Sequence, residues 1–301
     1  MSSVVAPLVT PLPQGQIQSK AENEALVSSV DWKEPDHLAA AAQASSHLQA
    51  CNPQSSLTTL YIGKDKVPFH IPSSVLRQKS PYFTKLLAED TGHDGKVHSA
   101  EHMAFGDIDD FTMALFMHWL TTDGKLAGPH DFHSFGHYLG LYMLAQKFEI
   151  ESLQNQVMDL VRDYYREQNM TAAPYRLEYI YTITHGPNHM RAFLVSTAAF
   201  RLLEEHSKSP AVTEPTPASS GNAFISESMR EVLSKNAELS VDFANELVNL
   251  HRNGEHDARR GSDCHWHVHT HTQACPAEKT EPWQFDGPGD DKVGGSLCRN
   301  S

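Results

Sequence analysis

Apolar positions in this chain first alternate and then recur at helical spacing. Val67, Phe69 and Ile71 alternate with Pro68 and His70, the period of a strand with one buried and one wet face. Leu57 to Ile62 supplies a preceding strand, and Gly63-Lys64-Asp65-Lys66 between them is a polar turn opened by a glycine free to take positive φ. Pro72 has no N–H to extend the ladder, and Ser73 or Ser74 is placed to cap a helix carrying Val75 and Leu76. Ser80-Pro81 repeats the device, serine as N-cap and proline at the first helical position, with Tyr82, Phe83, Leu86 and Leu87 as the apolar stripe. Met103 to Phe105 is a candidate third strand, and a helix from Phe111 to Leu120 follows the acidic run Asp107 to Asp110. Tyr138, Leu141, Tyr142, Ala145 and Phe148 then fall on one helical face, as do Leu153, Val157, Leu160, Val161 and Tyr164.

Outside this region the pattern is less even. Residues 1 to about 35 are rich in Ser, Pro and Gln without a period, the composition of a disordered segment. Asp36 is placed to cap an alanine-rich helix, His37 to Ala50, stopped by Asn52-Pro53; its thin apolar stripe reads either as a marginal surface helix or as a dimerisation element. Pro174 starts a helix burying Leu177, Ile180 and Tyr181, Gly186-Pro187 breaks it, and a second carries Phe193, Leu194, Thr197, Ala198 and Leu202. Ser207 to Asn222, with Pro210, Pro215 and Pro217, reads as a mobile connector. Ser226 then caps a helix with Met229, Val232 and Leu233, and Val241 to His251 forms another. The expected layout is a disordered segment at 1–54 with a helix at 36–50, an α+β domain at 55–168, a helical extension at 172–252 interrupted at 207–222, and a Cys/His-rich segment with a disordered tail at 253–301.

Read in order, the two strands, the run VLRQKSPYFTKLL from Val75 to Leu87, the strand at Met103 to Phe105 and the helix ending in Trp119-Leu120 resemble a BTB/POZ domain of the fungal type. The segments Tyr142 to Phe148 and Leu153 to Asp159 extend the likeness, which runs from Leu57 to roughly Tyr165, about a third of the chain. Two positions depart from the family pattern: Pro72-Ser73 replaces the His-Lys or His-Arg pair usual before the first helix, and Thr121 stands where a tyrosine usually follows Trp-Leu. The resemblance implies a small three-stranded sheet flanked by about five helices, then a helical extension. It implies a non-enzymatic protein-interaction module, forming a homodimer or docking other proteins. A cullin scaffold, for which the chain would be a ubiquitin-ligase substrate adaptor, is one such partner; a dimerising scaffold in transcriptional regulation is the alternative. Leu87-Ala88-Glu89 matches the hydrophobic-x-Glu triplet with which some members dock a cullin, against the plainer reading of Glu89 as a solvated helix-end carboxylate.

Charge and composition narrow the partners. The 301 residues are 40% hydrophobic, enough to bury a core. A net charge of −13, from 24 Lys and Arg against 37 Asp and Glu, argues against nucleic acid, whose phosphates need a basic face. No apolar run approaches the about 18 residues that argue a membrane span, and the first residues lack the basic start of a signal peptide. Cys51, Cys264, Cys275 and Cys298 do not make a disulfide framework for a chain this long. An intracellular protein of the cytoplasm or nucleus is the expectation.

One segment concentrates metal-binding chemistry. Cys264-His265-Trp266-His267-Val268-His269-Thr270-His271, closed by Cys275, offers thiols and imidazoles, of which Cys264, His267, His269 and Cys275 match the four N or S donors of a zinc tetrahedron. His267 and His269, two apart, share a face of an extended segment. The family resemblance implies a similar Cys, two His and Cys near the C-terminus, hence one structural zinc. A solvated histidine tract is the competing reading. A metal-dependent enzyme is a minor alternative that needs an open coordination position and a general base. Other enzyme templates are missing from the sequence: it has no GxGxxG or GxxxxGKS phosphate loop and no GxSxG nucleophile turn.

Overall fold

The alternating run at residues 57–72 folds as a hairpin in the computed structural model, which describes residues 36–88, 102–208 and 225–275 apart from 255, 262 and 274. Strand β1 (Leu57–Ile62) pairs antiparallel with β2 (Val67–Pro72), from Leu57 opposite Pro72 to Ile62 opposite Val67. Strand β3 (His102–Phe105) runs parallel to β1, giving the order β2-β1-β3. The central strand is therefore covered on both faces, with Thr58, Thr59, Leu60 and Ile62 buried, whereas β2 keeps its alternation of buried Phe69 and Ile71 with exposed Pro68 and His70. Gly63 opens the turn at φ 72° as its position requires. Lys66 closes it at φ 54°, a left-handed conformation that its residue type does not signal.

Helices dominate the rest. In chain order they are α1 (His37–Cys51), α2 (Ser73–Lys79), α3 (Pro81–Ala88), α4 (Asp110–Thr121), α5 (Phe132–Lys147), α6 (Glu151–Glu167), α7 (Pro174–Ile183), α8 (His189–Lys208), α9 (Glu227–Lys235) and α10 (Ala237–Asn253). A single 3-10 turn, Asp263–Trp266, follows. The described residues thus form an α+β fold of ten helices and one small mixed sheet. None of these helices is long and apolar enough to cross a membrane.

Two elements organise the core. Helix α4 buries Phe111 through Met117, then Trp119 and Leu120, the all-round burial of a helix enclosed by its neighbours. Phe148, which closes α5, brings its ring 4.8 Å from Phe83, 5.3 Å from Phe105, 5.7 Å from Phe116 and 5.9 Å from Tyr82. It thereby joins α3, β3 and α4 through one side chain. Its carbonyl accepts the Ser80 hydroxyl at 2.5 Å, and the Ser80 oxygen in turn accepts the Phe83 amide, so the expected N-cap also ties α3 to the end of α5.

Several expectations need correction. Neither Ser73 nor Ser74 caps α2; the buried Ser73 hydroxyl bonds the Ser56 carbonyl and Thr58 Oγ1 at 2.9 and 2.8 Å, fastening the helix to β1. The Asp36 side chain makes no cap on α1. Helix α1 does lie at the surface, with most of its residues exposed, but it is held there: it packs on α4 and β2, buries His37, Ala41 and Leu48, and reaches both through His37 to Asp110 and Ser45 to the His70 carbonyl. Residues 36–54 are accordingly structured, and residues 1–35 lie outside the described part. Helix α8 continues through Ser207 to Lys208, so the connector cannot begin at Ser207; the remainder, from 209 to 222, lies outside the described residues. The last helix starts four residues before Val241, at Ala237, because Asn236 accepts the Leu239 amide and caps it.

One glycine fixes how closely two helices meet. A Cβ at Gly140 of α5 would lie 2.5 Å from Thr112 Oγ1 of α4, and that hydroxyl already donates to the Asp109 N-cap carboxylate at 2.6 Å. Gly140→Ala gains about 1 kcal/mol of helix propensity. Overpacking costs about 1–3 kcal/mol and the disturbed cap about 1 more, so the substitution is expected to destabilise the fold by roughly 1–3 kcal/mol in urea denaturation. Thr112→Ala added to Gly140→Ala should recover part of that loss, and a stabilising Gly140→Ala would contradict the assignment.

Candidate metal centre

Helix α6 carries two stripes. Leu153, Val157, Met158, Val161 and Tyr165 are buried in the core. Glu151, Asn155, Asp159 and Arg162 occupy a separate arc of about 80° at 100° per residue, and each of them bonds the segment 254–275. This segment is a strap laid along the polar stripe.

Its path is set by local bonds. Gly254, at φ 83°, takes the chain out of α10. Arg259 is buried; it binds both oxygens of Asp257 at 2.8 Å and reaches Asn169 Oδ1 and the Met170 carbonyl beyond α6. Arg162, 1% exposed, donates to the Gly261 carbonyl. The 3-10 turn then drives the Trp266 ring against Phe193 of α8, 5.6 Å centroid to centroid and edge-on, and the Trp266 carbonyl meets His189 Nδ1 at 3.0 Å. Asn155 pairs with Val268 in both directions, accepting its amide at 2.7 Å and donating to its carbonyl at 2.9 Å. Glu151 accepts the amides of His271 and Thr272 and the Thr272 hydroxyl at 2.7–2.9 Å.

The bends place the donors together. Cys264 Sγ and Cys275 Sγ each lie 3.6 Å from His269 Nε2, and the three ligand atoms are all within 4.8 Å of one another. Cys264, His269 and Cys275 can therefore hold a metal ion. His267 Nδ1 is 3.2 Å from Cys275 Sγ, while its Nε2 meets Asp159 Oδ1 at 2.8 Å. Burial, then the Cys264 thiol and the Asp159 carboxylate, push the Cys275 thiol above its ordinary pKa. A bound cation reverses that penalty by stabilising the thiolate.

Of the four positions singled out in the sequence, Cys264, His269 and Cys275 come to one place, while His267 lies outside that group and reaches Cys275 alone of the three; the segment is packed through Trp266 and bonded along α6, so it is not a free solvated tract, although residues 270–273 are exposed. The remaining histidines of the run stand apart from the donors. The His265 ring is edge-on to Trp266 at 4.7 Å, and His271 offers its backbone to Glu151. Sequence reading missed the receptor stripe, although the 4, 4, 3 spacing of Glu151, Asn155, Asp159 and Arg162 was there to be seen. The other proposed site fares differently. Leu87 is buried, 7% exposed, and Glu89 lies outside the described residues. No model of a known protein family matches this sequence, and neither does any curated protein.

The stripe makes docking depend on pH. Burial raises the Glu151 pKa, but the Thr272 hydroxyl and the His271, Thr272 and Thr270 amides outweigh it and hold the carboxyl below its ordinary value of 4.5. A depressed folded-state pKa contributes stability above the unfolded value and loses it as pH falls through the folded one. Amide NMR shifts of His271 and Thr272 should therefore move toward unbonded positions in the wild type only once the pH has fallen below the ordinary carboxyl value of 4.5. Glu151→Gln should show displaced shifts already at pH 7 and little further change on acidification; matching titrations of the two proteins would contradict this.

Proposed function

We propose that this chain is a non-enzymatic protein-interaction module of BTB/POZ-like type whose C-terminal strap is fastened by one structural zinc ion. The zinc would be held by Cys264, His267, His269 and Cys275. The observation that carries the metal assignment is the spacing of the donors. Zinc bonds of about 2.3 Å to sulfur and 2.0–2.1 Å to nitrogen give a tetrahedron with sulfur-to-nitrogen edges of about 3.5–3.6 Å. The Cys264–His269 and Cys275–His269 separations of 3.6 Å fit that edge, whereas His267 Nδ1, 3.2 Å from Cys275 Sγ and outside the three-residue group, would have to shift to become the fourth donor. Asp159, bonded to the far nitrogen of His267, supplies the carboxylate that commonly orients a zinc-bound imidazole. With His267 as the fourth donor no position would be left for water or substrate, the arrangement of a structural site.

The interaction reading is supported by element order. Two antiparallel strands, two short helices, a strand parallel to the first and then long helices follow the sequence expected from the family resemblance, with a helix ahead of the first strand. A cullin scaffold or a second copy of the chain is the partner this reading names. No basic face is required of either.

Protein purified without an affinity tag and dialysed against a mild chelator should retain about one zinc per chain by elemental analysis. Cys264→Ser with Cys275→Ser should reduce it to background, and a wild-type value near zero would remove the metal assignment. For the partner, affinity capture with full-length chain should recover a cullin, less of it with Glu89→Ala, or a second differently tagged copy of the chain. Recovery of neither would count against the interaction reading.

A further inference from the structure

A groove of aromatic rings and carboxylates lies along α5, lined by none of the strap residues. A cavity of 780 Å³ opens between the start of α4, the middle of α5 and α7, and a second of 520 Å³ continues it; Asp109 and Tyr179 line both. One wall is α7, where Tyr175 and Tyr179, four residues apart, stand 45% and 39% exposed and rank among the few large exposed hydrophobic residues. The opposite wall is the Phe111 ring, stacked on His137 at 3.8 Å. Asp109 and Asp110 rise beside it with side chains 49% and 41% exposed, while His137 and His37 approach them at 3.7 and 3.2 Å. The cations nearby are turned to other work. Arg176 is 3% exposed and stacks on Phe135 at 3.8 Å, and Lys147 binds both oxygens of Asp107.

Exposed tyrosine rings beside half-exposed carboxylates suit a cation; Arg176 already reaches Tyr175, donating to its hydroxyl, which leaves Tyr179 as the ring for a ligand. The ring quadrupole and the carboxylate charge attract the same ligand, and the apolar walls accept the stem of a long side chain. Tyr179 feels that charge: burial, then the Asp109 carboxylate, raise its pKa. An acidic or uncharged segment would bury the carboxylates without compensation.

We infer that this groove is the docking site for a basic segment of a partner protein, with a Lys or Arg side chain placed between Tyr179 and the Asp109–Asp110 pair. This names a partner class for the interaction module proposed above and rests on that reading. It is independent of the metal.

The test is selection of a phage-displayed random dodecapeptide library on the immobilised full-length chain, followed by comparison of the selected peptides on Tyr179→Ala and Asp110→Asn variants with unchanged melting temperatures. Peptides should emerge rich in Lys or Arg beside apolar residues, bind the wild type about tenfold more tightly than either variant, and weaken with salt. Survivors that are acidic or uncharged overturn the inference. So do peptides that bind wild type and variants alike, an outcome that places docking elsewhere and leaves the interaction reading standing. Failure to select any peptide also overturns it, as is expected if a second copy or the chain's own residues 1–35 fill the groove. Protection of Tyr175 and Tyr179 amides from hydrogen exchange separates those two occupants by its dependence on concentration.

Discussion

Helix α6 must satisfy two partners at once, and the C-terminal part of the structure depends on how it does so. Its apolar residues complete the core shared with α5, while Glu151 and Arg162 on the polar stripe are 7% and 1% exposed. Buried charges are tolerated only when hydrogen-bonded or paired, and the strap supplies those bonds through the Thr272 hydroxyl, the His271 and Thr272 amides and the Gly261 carbonyl. The strap is therefore part of the fold. Removing it would leave charged groups facing a surface shaped to hide them.

A strap of this length cannot build a core of its own. It has one buried aromatic anchor, Trp266, and one buried arginine, Arg259, with a ladder of polar bonds between α6 and the loop carbonyls. Each such bond contributes only about 0.5–1.5 kcal/mol net. A metal joining Cys264 to Cys275 would close the loop that contains Trp266 and hold His267 against Asp159. The proposed zinc and the polar stripe are then two halves of one fastening, the ion setting the shape of the strap and α6 setting its place.

Much of this could be read from the sequence where local chemistry decides structure. The hairpin, the Ser80-Pro81 helix start, the Pro174 start and the Gly186 break all follow from residues with one strong preference, and they stand where expected. Expectations failed where tertiary contacts compete with local ones. Ser73 gave its hydroxyl to β1 instead of its own helix, and the alanine-rich α1, unconvincing as an isolated helix, is held by α4 and β2. The metal-binding residue types were plain, but their docking surface was not. Glu151, Asn155, Asp159 and Arg162 look like any solvated helix face until the strap, about a hundred residues away in sequence, is laid on them.

The proposed metal and the polar stripe together would hold the strap, while the sheet and the helices on it stand without it. Hydrogen exchange followed by mass spectrometry, before and after a strong chelator, tests this most directly. Exchange should quicken only in residues 254–275 and the facing turns of α6, with β1, β2 and α4 unchanged. Exchange that is unaltered by the chelator, or that rises evenly across the sheet and all helices, would contradict it.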